Sequence, residues 1–307
     1  MMMYLLLIIG FFLLVKGADY FVEGSSAIAK LLKVPSVVIG LTIVAMGTSA
    51  PEAAVSITAG LAGSNELALS NVIGSNLFNL VLIVGICALI RPFAVEQSIM
   101  KRDFPIAILS SVLLLFFIRD DYLSRTEGIL LLILMAAYLT MTVILAIRNP
   151  IDIEGADHYL PMHTSLIYVG LGLAAIIIGG DLVVDNACRV AAAFGLSETL
   201  IGLTIVAIGT SLPELVTSIT ASRKGESGLA LGNVVGSNIF NIMFILGMSS
   251  TVHPIAAEAV AFTDILILIA LTLIIYIFCK IRGQMGRLMG FACVAAYTAY
   301  AVYIVWR

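Results

Sequence analysis

The sequence predicts an all-α integral membrane protein, with ten transmembrane helices arranged as two five-helix repeats of inverted topology. Three observations predict it. Of 307 residues, 61% are hydrophobic and 11% charged, against roughly 45–50% and 25% in soluble domains. The apolar residues fall into ten runs of about membrane length, ~20 residues each. Two stretches of the chain also repeat each other at a constant offset of 162 residues.

So few charges cannot coat a soluble domain of this length. The composition therefore disfavours a soluble globular domain, a disordered chain and a nucleic-acid binder, and the net charge of −3 offers no basic patch. Cys87, Cys188, Cys279 and Cys293 are scattered, without metal-ligand spacing, and read as small apolar residues. The three histidines are too dispersed for a transition-metal site.

In chain order the spans are expected at 3–27, 36–62, 67–90, 104–118, 128–147, 163–187, 199–221, 228–252, 260–279 and 287–306. The first begins without a basic flank and runs on through Lys16, so it reads as a span and not as a removed signal. The first repeat is assigned to residues 1–150, a short cytoplasmic linker to 151–162 and the second repeat to 163–307. The linker carries Asp152, Glu154, Asp157 and His158 and reads as a solvated connection. Loop Lys and Arg residues set the orientation. With the N-terminus outside, eleven fall on the inner side (Lys30, Lys33, Arg91, Lys101, Arg102, Arg148, Arg223, Lys224, Lys280, Arg282, Arg287). Four fall on the outer side (Arg119, Arg125, Arg189, Arg307), so both termini are expected to be extracellular.

The repeat is the most specific signal. Residues 39–52 read IGLTIVAMGTSAPE and 201–214 read IGLTIVAIGTSLPE, identical at twelve of fourteen positions. Residues 70–79, SNVIGSNLFN, match 232–241, GNVVGSNIFN, at seven of ten. Asp19 and Glu23 match Asp181 and Asp185. Five spans per half is an odd number, so the second copy enters the membrane the other way up. Secondary transporters share this architecture and bind their substrate near the midplane, between the repeats.

The matched residues are Gly, Thr, Ser, Pro, Glu and Asn, which apolar packing does not require. Pro51 and Pro213 have no N–H and clash with the preceding turn, so each is expected to break its span at depth. Such a break is tolerated where it is buried in protein or lines a cavity. Glu52 and Glu214 follow directly, and a carboxylate at the bilayer centre costs about 2.5–3.5 kcal/mol on insertion scales. Two symmetry-related acids repel unless a cation lies between them. With neighbouring hydroxyls and backbone carbonyls they form an all-oxygen set, suited to a hard cation such as Ca²⁺ and unsuited to Zn²⁺ or Cu⁺. Ser75 and Asn79, like Ser237 and Asn241, are four apart and share a helix face. Gly74 and Gly236 permit close helix approach. Asp19, Glu23, Asp181 and Asp185 read as helix-end or gating contacts, with Lys16 placed to pair with Asp19.

These blocks resemble the α-repeats of the calcium:cation antiporter superfamily, most closely its sodium/calcium exchanger branch of prokaryotic type. The GTS-x-PE and GSN-x-FN patterns occur twice, and with the ten spans the resemblance covers essentially the whole chain. It implies a secondary active antiporter exchanging Na⁺ for Ca²⁺ by alternating access, with spans one and six sliding against the rest. It implies calcium ligation by Glu52, Glu214 and the carbonyls of Thr48 and Thr210. It implies sodium ligation by Ser49, Ser211, Ser75, Ser237 and the carbonyls of Ala45 and Ala207, with Asn79 and Asn241 at the central position. Potassium-dependent relatives carry an acid where Asn241 stands, so potassium independence is expected. No cofactor, catalytic residue or regulatory calcium-binding domain is expected, and the transport unit is expected to be a monomer in the lipid bilayer. A proton-coupled or other divalent-cation antiporter on the same scaffold is the alternative. An intramembrane hydrolase lacks a second catalytic group, and nothing in the sequence indicates a continuous pore.

Overall fold

The computed structural model of the chain describes residues 2–61, 66–150, 160–195 and 207–306. The residues Asp152, Glu154, Asp157 and His158, and the first part of the seventh expected span, lie outside these. The described helices are α1 (Met2–Leu31), α2 (Ser36–Thr48), α3 (Ala50–Leu61), α4 (Ala68–Ile90), α5 (Phe104–Phe117) and α6 (Arg125–Arg148). They continue with α7 (Met162–Ala193), α8 (Ala207–Gly209), α9 (Leu212–Lys224), α10 (Ser227–Val252), α11 (Ala259–Arg282) and α12 (Arg287–Trp306). Four two-residue strands lie in the connections: β1 (Phe93–Ala94), β2 (Tyr122–Leu123), β3 (Ile255–Ala256) and β4 (Gln284–Met285).

Among the described residues, seven helices are long and apolar enough to cross a membrane, and α2 with α3, bent by 48°, brings the number to eight. The fourth and seventh expected spans account for the difference from ten. α5 has 14 residues and follows a π-helical turn, Ile99–Asp103, whose Lys101, Arg102 and Asp103 interrupt the apolar run. That turn tolerates its charges because Arg102 binds both oxygens of the buried Asp103, at 2.7 and 3.1 Å, and Tyr138 donates to the same carboxylate at 3.1 Å. Of the seventh span only α8 and α9 are described.

Burial ranks the helices. In the most apolar 18-residue stretch of each helix, 94% of residues are buried in α10 and 72% in α4, against 17% to 33% in the other membrane-length helices. α4 and α10 thus form the centre, and the others present residues such as Ile8, Phe12, Leu109 and Leu288 outward. Helices apolar on their outer faces match a hydrocarbon solvent.

Glycines set the closest helix contacts. Gly10 abuts Gly179, Gly17 abuts Gly172 and Gly24 abuts Ser165, so α1 and α7 run antiparallel along a seam with seven-residue spacing. A Cβ on Gly172 would stand 2.6 Å from the Phe21 nitrogen, so only glycine fits. Gly85 meets Gly290, and Gly128 meets Gly247. Gly236 likewise sits on α2, 2.7 Å from the Leu41 Cα if given a Cβ, whereas Gly74 faces open space.

These contacts come in exchanged pairs. Adding 162 to one member and subtracting it from the other turns Gly85–Gly290 into Gly247–Gly128. It also turns the β1–β4 pair Phe93–Met285 into the β3–β2 pair Ile255–Leu123. Such reciprocity is the mark of a two-fold relation, here within one chain.

Candidate cation site

The site is built where the repeats are most alike. α2 ends at Thr48, the chain bends, and α3 restarts at Ala50, with Pro51 unable to donate to the Gly47 carbonyl. The second repeat breaks in the same way: α8 ends at Gly209, Ser211 precedes α9, and Pro213 lies in the first turn of α9. The restarted helices carry Glu52 and Glu214 in their first turns, where the positive helix end favours an anion.

Both carboxylates are fully buried. Ser49 Oγ donates to Glu214 Oε1 at 2.8 Å, and Ser211 Oγ donates to Glu52 Oε1 at 3.1 Å. Each serine therefore serves the glutamate of the other repeat. Ser75 joins through a 3.1 Å hydrogen bond between its hydroxyl and that of Ser211. Among the described residues, Oε2 of each glutamate is buried with no hydrogen-bond partner. The same holds for Ser237 Oγ, Asn241 Oδ1 and both polar atoms of Asn79. Buried polar atoms are normally satisfied, so such a set calls for an explanation.

The remaining expected residues take these places. Thr48 is buried, and its hydroxyl reaches Asn233 Oδ1 at 3.0 Å. Thr210 is half-buried and reaches Asn71 Oδ1 at 3.5 Å. The Ala45 carbonyl accepts the Ser49 N–H at 3.0 Å, and Ala207 opens the short turn α8. Asn79 and Asn241 lie in π-helical segments of α4 and α10, Phe78–Ile83 and Asn241–Leu246. Widened turns of this kind are frequent at functional sites. Asn241 Nδ2 donates to Asn76 Oδ1 at 3.1 Å. Among the described residues, no three His, Cys, Asp or Glu side chains come together, so Glu52 and Glu214 are not part of a larger acidic cluster.

The motif reading did not single out Asn71 and Asn233, nor Ser56 and Ser218, to which their amides donate at 3.1 and 2.9 Å. Asn76 and Asn238 each donate to the other's backbone carbonyl, at 3.1 and 3.0 Å, and so sit at the two-fold relation. The shared offset of 162 was the available signal for all of them.

The peripheral acids serve a different contact. Lys224, at the end of α9, lies 3.6 Å from Asp19 and 3.7 Å from Glu23, and Lys16 lies 3.8 Å from Asp19. Glu226 accepts from Ser26 at 2.5 Å and lies 3.6 Å from Lys30. These contacts tie α1 to the α9–α10 turn. By sequence, the position matching Lys224 in the first repeat is Ala62, which carries no charge.

A lipid-facing helical bundle whose internally two-fold core holds paired carboxylates defines a membrane transporter. The sequence model of the family described as sodium/calcium exchanger protein matches residues 2–144 and 164–306. The putative antiporter CaxA of Alkalimonas amylolytica is 40% identical over 289 residues, covering 92% of this chain and 91% of that protein. The sodium/calcium exchanger MaX1 of Methanosarcina acetivorans is 35% identical, covering 99% and 98%. Among solved structures, the sodium-calcium exchanger NCX_Mj superposes with a TM-score of 0.87 at 33% identity, covering 98% of each chain. The chain belongs to the sodium/calcium exchanger family: it is a multi-pass membrane transporter, not an enzyme.

Proposed function

We propose that this protein is a secondary active antiporter that exchanges Na⁺ for Ca²⁺ by alternating access. The observation that carries this reading is the crossed Ser–Glu arrangement, with one oxygen of each buried glutamate left over. Two carboxylates at membrane depth are costly alone. One Ca²⁺ neutralises both, accepts bidentate carboxylates and takes 6–8 oxygens in all. Glu52 and Glu214, with the carbonyls of Thr48 and Thr210, are the proposed calcium ligands. Ser49, Ser211, Ser75, Ser237 and the carbonyls of Ala45 and Ala207 are the proposed sodium ligands. Both ions use the same glutamates, so they compete, and competition for a shared site is what couples their fluxes. Asn79 and Asn241 form the central position, and the neutral Asn241 makes transport independent of potassium.

The α5 and α8–α9 segments complete ten spans in two inverted five-span repeats, joined by the 151–162 linker. Antiparallel α1 and α7 support this arrangement. One chain contributes both halves of the site, so the transport unit is a monomer. The loop charge bias places both termini outside the cell membrane. An impermeant label that reaches a tag on either terminus only after membrane rupture would reverse that orientation.

The test is uptake of radioactive Ca²⁺ into proteoliposomes loaded with Na⁺. Uptake is expected to need the outward Na⁺ gradient and to be unchanged when K⁺ is replaced by choline. Uptake driven by a proton gradient without Na⁺ would make the protein a proton-coupled antiporter instead.

A further inference from the structure

We propose that Asn233 and Asn71 are positioning residues, side-chain clamps that hold the two broken spans at the spacing the cation site requires. This rests on the exchanger reading of the site. Asn233 is fully buried on α10 and spends its amide on two other helices. Its Oδ1 accepts from the Thr48 hydroxyl at 3.0 Å, and its Nδ2 donates to Ser218 Oγ at 2.9 Å. Thr48 is the last residue of α2 before the break, and Ser218 lies one turn beyond Glu214 on the same face of α9. One amide thus links the backbone end of the first repeat's break to the helix that carries the second repeat's carboxylate.

The arrangement is present twice. Asn71 Oδ1 accepts from Thr210 at 3.5 Å, and its Nδ2 donates to Ser56 Oγ at 3.1 Å, one turn beyond Glu52. All six residues obey the offset of 162. The two copies differ in tightness: Asn233 and Thr48 are buried, whereas Asn71 and Thr210 are half-buried, and the bond between them is longer.

The chemistry explains why an amide stands here. A carbonyl at a proline-interrupted turn is not held by a regular helical ladder. Hard cations nevertheless need oxygens at 2.3–2.6 Å for Ca²⁺. A side chain that both accepts and donates fixes the distance between two helices without adding charge beside the carboxylates. Asn233 and Asn71 need not touch the ion. They act through Thr48 and Thr210 on one side and the glutamate helices on the other.

The test is Ca²⁺ binding by calorimetry to the purified full-length protein, alongside Na⁺-driven uptake. Asn233→Leu removes both bonds while keeping the same branched arrangement of side-chain heavy atoms. It is expected to raise the Ca²⁺ dissociation constant about tenfold, a loss of about 1.4 kcal/mol, while changing the maximal uptake rate by less than about twofold. Ser218→Ala releases only the far end of the clamp and is expected to weaken binding about threefold. Thr48→Val combined with Asn233→Leu is expected to bind no worse than the weaker single variant, because both remove one linkage. Unchanged affinity in Ser218→Ala, or strictly additive losses in the double variant, would overturn the clamp even if Asn233→Leu fails to fold. If the wild-type protein binds Ca²⁺ but shows no Na⁺-driven uptake, exchange is wrong and the binding series still decides the clamp.

Discussion

Glu52 and Glu214 each use one carboxylate oxygen on a serine from the opposite repeat and, among the described residues, keep the other buried without a hydrogen-bond partner. Glutamine at either position preserves shape but removes a negative charge and places N–H donors where a cation would sit. Glu52→Gln and Glu214→Gln are each expected to lower Na⁺-dependent Ca²⁺ uptake at least about a hundredfold, equivalent to about 2.7 kcal/mol, with little change in melting temperature. Near-normal uptake by either variant would remove that residue from the site. The glutamates, serines and threonines were legible in the sequence because polar residues duplicated within apolar runs have no packing rationale. Asn71 and Asn233 lay in the same duplicated block and went unremarked. Their role depends on partners 139 and 185 residues away, which local spacing does not reveal.

At the scale of the element, proline and glycine do most of the shaping. The proline breaks were foreseen because their cause is local. The π-helical turns that carry Asn79 and Asn241 were not, because an extra residue in one turn leaves no mark on an apolar pattern. α5 begins at Phe104, where the fourth span was expected; the π-helical turn ahead of it was not, and it holds Lys101, Arg102 and Asp103 with Arg102 and Tyr138 satisfying Asp103. The four short strands are too brief to show alternation. The α1–α7 seam gives an element-scale prediction. Gly172→Leu sets a side chain against the backbone of α1, and overpacking costs about 1–3 kcal/mol or more. It is expected to lower the melting temperature and folded yield markedly. Gly170→Leu, on the same helix with open space around its Cβ, is expected to behave like the parent. Equal stability of the two variants would show that the close approach is not required.

Across the whole molecule, the exchanged contacts make each half the complement of the other, yet the halves are not equivalent. Lys224 holds Asp19 and Glu23 on α1, and by sequence Ala62 stands at its counterpart. The Lys224 contacts to Asp19 and Glu23 lie between partly exposed side chains, so salt is expected to screen them.

The glycine seam also bears on how the protein is made. The partner of α1 is α7, the first helix of the second repeat, with some 130 residues between them. During synthesis the first repeat must enter the bilayer with its glycine groove uncovered. It closes only when α7 arrives from the opposite direction. The seam thus joins the first helices of the two family-matched stretches, 2–144 and 164–306. Residues 1–150 and 163–307, produced as separate polypeptides in one cell, are expected to co-purify and to regain Ca²⁺ binding. Each is expected to be unstable alone, and a stable, isolated first half would show that the seam closes late for some other reason.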